Sequence, residues 1–84
     1  MSITGNQIKA ARALAGLNQW ELATAANLDI YTIRNFEAWN EKIVRGRPNT
    51  LEKIHKAFSD AGVDLLDGQE STGGRGVRFK GEAP

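Results

Sequence analysis

Apolar residues recur at helical spacing from Ile8 to Ala61 and then, beyond Gly62, alternate with polar ones at every second position. That single change of period restricts the fold more than any other feature: a helical body must come first and a short β element last. Four helices follow from the spacing. The first runs from about Gly5 to Ala15, with Thr4 as N-cap and Gln7 three residues on as a capping box. Its inner positions are Ile8, Ala11 and Ala15, with Leu14 at the margin. Gly16 is placed to end it in the left-handed conformation. Asn18 caps a second helix, about Gln19 to Ala26, which turns Leu22, Ala23 and Ala26 inward. Asn27, a residue that tolerates positive φ, marks a sharp turn. Asp29 caps a third helix, about Ile30 to Trp39, which suits the helix dipole. This helix buries Ile33 and Phe36 and offers Ile30, Tyr31, Arg34 and Asn35 outward.

Residues 40–47 read as a loop, and Pro48 fits the first turn of a fourth helix, where its missing N–H costs nothing. Leu51, Ile54, Phe58 and Ala61 give that helix its inner row, and Gly62 stops it. Val63 and Leu65 then alternate with Asp64, and Val77 and Phe79 with Arg78 and Lys80. The intervening stretch is rich in Gly, Ser and polar residues, which gives a C-terminal β-hairpin with a long, flexible loop. The expected organisation is a helical domain over 1–62, a hairpin over 63–80 and a frayed tail over 81–84.

Several classes of function are disfavoured at once. Eighty-four residues make one domain, because ~100–150 residues is already the typical domain size. Zero cysteines remove disulfides, thiolate metal sites and thiol nucleophiles. The single histidine, His55, makes a metal site or a Ser-His triad hard to assemble, and neither a metal nor a cofactor is expected. His55 sits beside Ile54 and Leu51 and reads as a core-edge residue. No apolar run approaches the ~18–20 residues of a membrane helix. The polar start, MSITGNQIK, lacks the apolar segment of an export signal. An enzyme is therefore not expected, nor a membrane partner.

The formal net charge is only +1, but its distribution is uneven. Up to Arg47 six basic residues face four acids; from Pro48 to Gly68 two basic residues face four acids. Lys42, Arg45 and Arg47 fall in one short loop, a pattern that suits phosphate contact.

Two short helices joined by a tight turn, the second with an exposed polar face, is the plan of a helix-turn-helix DNA reader. The residues sharpen the plan. Leu17-Asn18-Gln19-Trp20-Glu21-Leu22-Ala23 followed by Thr32-Ile33-Arg34-Asn35-Phe36-Glu37 resembles the Xre family of phage repressor and Cro-type helix-turn-helix regulators. The similarity can be followed from Ile8 through Phe58. Physical reasons stand beside it: Ala23 is small where two helices must cross closely, and Leu22, Leu28 and Ile33 fill the wedge between them. Glu37 lies one turn after Ile33, near the inner face, where an unpaired charge is costly. Arg12 is its natural partner, and the resemblance implies an internal salt bridge between them. Two departures stand out. Asn27 occupies the turn position where the family most often has Gly, and Ala38-Trp39 replaces a polar-Gly helix end, which would let helix three run on past Trp39.

The resemblance implies a mainly α, lambda-repressor-like bundle of four or five helices with the hairpin appended. It implies that Gln19 sits at the phosphate and groove edge, and that Asp29, Ile30, Tyr31, Thr32, Arg34 and Asn35 belong to the recognition segment. Arg34 can fork onto guanine and Asn35 onto adenine; Tyr31 can donate to a phosphate and Ile30 can touch a thymine methyl. It further implies a repressor or autoregulator, in the cytoplasm of a prokaryote or encoded by a phage or mobile element, bound as a homodimer to an inverted repeat in double-stranded DNA. Val63, Leu65, Val77 and Phe79 would form one apolar face, and pairing two hairpins across a two-fold axis would bury it. The competing expectation is that the hairpin folds back on helix four. A second functional reading is a protein-interaction module, of antitoxin or antiactivator type, that keeps the fold and binds another regulatory protein.

Overall fold

The computed structural model describes residues 2–68 and 73–81. Helix α1 (Gly5–Ala15) starts from a reciprocal cap: Thr4 Oγ1 accepts from Gln7 N at 3.1 Å, and Gln7 Oε1 accepts from Thr4 N at 3.0 Å. Gly16 closes it at φ 73°. Helix α2 (Gln19–Ala26) repeats the device with Asn18 and Glu21, and Asn27 ends it at φ 54°. Helix α3 (Ile30–Glu37) begins at Asp29, whose carboxylate accepts from Tyr31 N at 2.8 Å. Helix α4 (Pro48–Asp60) carries Pro48 in its first turn and has no side-chain cap. The protein is thus mainly α, with four helices among the described residues.

Helix α3 stops at Glu37, short of the Trp39 end expected from spacing. The chain tightens there into a turn, with Trp39 N bonded to Phe36 O and Asn40 N to Glu37 O. The start of α1 holds that turn in place. Asn6 N donates to Asn40 O at 2.8 Å. A Cβ on Gly5 would lie only 2.6 Å from Phe36 O, so only glycine allows this approach.

Ile8, Leu22, Ile33, Ile54 and Phe58 are fully buried in one core that the four helices share. Burial of each such side chain is worth ~1.5–3 kcal/mol. Strands β1 (Val63–Asp67) and β2 (Arg75–Phe79) pair antiparallel, with Val63 opposite Phe79 and Leu65 opposite Val77. The hairpin lies against the helices: β1 packs on α1 and α4, and β2 on α1. Gln7 fastens it, its buried amide nitrogen donating to Leu66 O at 2.7 Å and Gly76 O at 3.0 Å.

The hairpin folds back on α4, the competing expectation, and on α1 as well, so that the helices of the same chain cover much of its apolar face. Val63 and Leu65 are buried in the chain's own core and Val77 packs partly against it; only Phe79, 53% exposed, is left accessible. Val63 and Leu65 join Ile8 and Phe58 in the same buried cluster. Of the expected frayed tail, 82–84 lie outside the described residues, as do 69–72 of the hairpin loop. Among the described residues no helix is long and apolar enough to cross a membrane.

Candidate nucleic-acid interface

The sequence between α2 and α3 builds a rigid corner. Asn27 turns the chain at positive φ, and Leu28 N donates to Ala23 O at 2.9 Å. Leu28 is half-buried against the core, and Asp29 reopens a helix two residues later. The orientation of α3 is then fixed by its inner row, Ile30, Ile33, Phe36 and Glu37, all buried. Ile30 therefore contacts the core and not a thymine methyl, contrary to the sequence expectation: at 6% exposure it belongs to the same helical line as Ile33 and Glu37. The outer row is what faces solvent. Tyr31 is 70% exposed, Arg34 and Asn35 are exposed, and Thr32 is intermediate.

A chain of polar contacts anchors that outer row. Arg12 Nε and Nη2 donate to the two oxygens of Glu37 at 2.7 and 3.0 Å, the bidentate arrangement a guanidinium makes with a carboxylate. The hydrogen bond to Glu37 raises the Arg12 pKa, against partial desolvation that lowers it. Arg12 also donates to Leu17 O at 3.2 Å, which ties the end of α1 to the start of α2. Gln19 Nε2 donates to Glu37 Oε1 at 3.1 Å, and Gln19 Oε1 accepts a long, 3.4 Å contact from Arg34 Nε. Gln19 is therefore half-buried and engaged at both ends of its amide. It braces Arg34 from behind, where the resemblance implied only a groove-edge contact. The terminal nitrogens of Arg34 have no partner among the described residues, and its guanidinium lies 5.9 Å from the Tyr31 ring centre.

Lys42, Arg45 and Arg47 are all exposed, and the loop that carries them is held firmly. Thr4 and Ile43 form an isolated bridge, Val44 N donates to Ile3 O at 2.8 Å, and Ile3 and Val44 are both buried. Gly46 lies flat on Phe36, where a Cβ would come within 2.8 Å of the ring. Val44 thus works as a plug that leaves the basic side chains outside. Sequence periodicity missed Ile3 and Val44; the β-branched pair Ile43-Val44 inside a polar loop was the available signal.

Two shallow depressions run along this side. Tyr31, Thr32, Arg34 and Asn35 line one, and Asn35, Ala38, Trp39, Asn40, Glu41 and Lys42 line the other, so Asn35 joins the α3 surface to the loop. Trp39, two residues beyond the end of α3, packs partly against the core. His55 is intermediate in exposure, with Nδ1 buried and unbonded among the described residues. Trp20, in contrast, is 63% exposed and lines a shallow apolar hollow with Glu21, Thr24 and Ala25 on the outer side of α2. Among the described residues no group of three or more His, Cys, Asp or Glu side chains could hold a metal ion. Chemically the surface offers hydrogen-bond donors, exposed cations and one aromatic ring. No protein-family model matches this chain, and a search of curated proteins finds no match.

Proposed function

We propose that this chain is a sequence-specific DNA-binding regulator of the Xre-like helix-turn-helix type, acting as a homodimer on an inverted repeat, most simply as a repressor or autoregulator. One observation carries the reading: α3 is locked by a fully buried inner row while Tyr31, Arg34 and Asn35 stand exposed beside a firmly held loop bearing Lys42, Arg45 and Arg47. In this reading α2 and α3 are the two arms of the motif and α3 enters the major groove. Arg34 and Asn35 read base edges, Tyr31 and Thr32 reach the backbone at the groove rim, and Asp29 fixes the helix end between them. Lys42, Arg45 and Arg47 neutralise phosphates irrespective of sequence. No enzymatic step, metal or cofactor belongs to this reading, and the cytoplasm of a prokaryotic cell is its setting. Gel shifts at increasing salt test it: a specific complex must weaken steeply as salt rises.

A second reading has its own observation. The exposed Trp20, with Thr24 and Ala25 beside it, is an apolar feature on the side of α2 away from its buried row. It favours a module that binds another regulatory protein. Binding to a partner protein with no salt-dependent DNA complex would select this reading.

A further inference from the structure

We infer that the free edge of β2 is a seam at which two copies of this chain pair, antiparallel and centred on Val77. This names the surface for the dimeric part of the proposed function.

The direction of the main-chain groups follows from the register. Lys80 N donates to Gly62 O at 2.6 Å, so Lys80 turns its main-chain groups toward β1, while Gly62 N turns back to Ser59 O at 3.0 Å. That direction alternates along an antiparallel strand, which makes Asp64–Arg78 and Leu66–Gly76 the hydrogen-bonded pairs of the ladder. Residues Arg75, Val77 and Phe79 then turn their N–H and C=O groups away from β1. Val77 and Phe79 have no main-chain partner for these groups among the described residues. An edge of this kind either carries a protective device or accepts another strand.

The side chains fit a second copy of the same strand. With Val77 opposite Val77 of the other copy, Phe79 falls opposite the other copy's Arg75, and Gly76 opposite its Arg78. No two cations face each other. Centring on Arg78 would set two guanidinium groups directly opposite, which is unfavourable. The half-exposed Phe79 ring gains the aliphatic stem and cation of Arg75 as a neighbour. Gly76 has open space where a Cβ would stand, so the facing Arg78 has room. The repulsion expected from a strand carrying Arg75, Arg78 and Lys80 is also reduced. Asp64 binds Arg78 at 2.9 Å and Lys80 at 3.3 Å, and Arg75 Nη1 donates to Ser2 O. The outcome is a continuous four-stranded sheet with two-fold symmetry, in which every edge group of β2 is paired and each copy offers the same patch.

The absence of cysteine makes the register directly testable in the full chain. Val77→Cys places one thiol of each copy in a directly opposed pair, whose Cα atoms are ~5.5 Å apart and within reach of a disulfide. Gly76→Cys instead sets its two thiols two residues out of step, beyond the ~7 Å limit. Under mild oxidation Val77→Cys must give a covalent dimer and Gly76→Cys must not. Val77→Pro removes an outward N–H that β1 does not use. It should keep the helical circular dichroism and raise the dimer dissociation constant about tenfold or more by sedimentation. A wild-type chain that sediments as a monomer, equal cross-linking of the two cysteine variants, or none from Val77→Cys overturns the seam. All of these measurements omit DNA, so their failure leaves the DNA-binding reading standing, and failure to bind DNA leaves the seam standing.

Discussion

Gln19 Nε2 donates to Glu37 Oε1 at 3.1 Å, a bond that joins the first residue of α2 to the last of α3. The same carboxylate is held by Arg12 from α1, so three helices meet on one buried charge. Arg12→Ala leaves that charge without its cation. Removing one partner of a buried pair costs ~3–5 kcal/mol, and the 22% exposure of the Arg12 side chain puts this case at the low end. Gln19→Ala, losing one hydrogen bond, should cost about 1 kcal/mol. Urea unfolding of the two variants checks the order; equal losses would mean that Glu37 does not depend on Arg12.

Arg34→Ala and Asn35→Ala should each weaken binding to the cognate site by ~1–3 kcal/mol and relax the preference at one base position. Both side chains are exposed, so melting temperatures should stay near that of the wild type. Unchanged affinity in both variants would remove α3 from the groove.

Replacing Arg45 with Ala should lower specific and non-specific affinity together. The slope of log affinity against log salt should become shallower by about 0.9, the increment for one neutralised phosphate. A weakening confined to one operator variant would make the loop a reader of bases.

Much of this arrangement can be read in the sequence because it is local. Thr4 with Gln7, Asn18 with Glu21, Asn27 at a turn and Pro48 at a helix start each act within four residues of themselves. Arg12 and Glu37 are legible through the cost of leaving a carboxylate unpaired beside Ile33. What escapes is non-local. Gln7 reads as half of a capping box, yet its amide nitrogen also bonds to carbonyls 59 and 69 residues away. The end of α3 is set by the approach of Gly5 and Asn6, not by Ala38-Trp39. Ile30 looks outward only if the helix is counted from its neighbours Tyr31 and Arg34; counted from Ile33 and Glu37, it falls on the buried line.

That double role gives Gln7 its own expected phenotype. Gln7→Ala leaves Leu66 O and Gly76 O without their shared donor and removes the Thr4 N to Gln7 Oε1 half of the capping box, a loss of ~1–3 kcal/mol. Hydrogen exchange should report it first at the hairpin amides of Gly76 and Arg78. Uniform protection losses across all four helices would contradict a fastening role.

The hairpin also carries a pH dependence. Hydrogen bonds from Arg78, and then from Lys80, hold the Asp64 pKa below its ordinary 3.8, against partial burial that raises it. A carboxylate with a depressed folded-state pKa stabilises the protein above its unfolded value, and that contribution is lost as pH falls through the folded one. The contribution is at most about 1 kcal/mol for a pair this exposed. Asp64→Asn should therefore be slightly less stable at neutral pH and show a shallower loss below pH ~4 than the wild type. Parallel curves in acid would assign the effect to other carboxylates.

Selection of binding sites from random duplex DNA, followed by affinity measurement at several salt concentrations, tests DNA reading by this chain most directly. The expected result is an enriched inverted repeat whose half-site centres lie about 10–10.5 base pairs, or a multiple, apart. The affinity of the complex should fall linearly on logarithmic axes as salt rises. No enriched sequence, together with no salt-dependent complex, would contradict DNA reading.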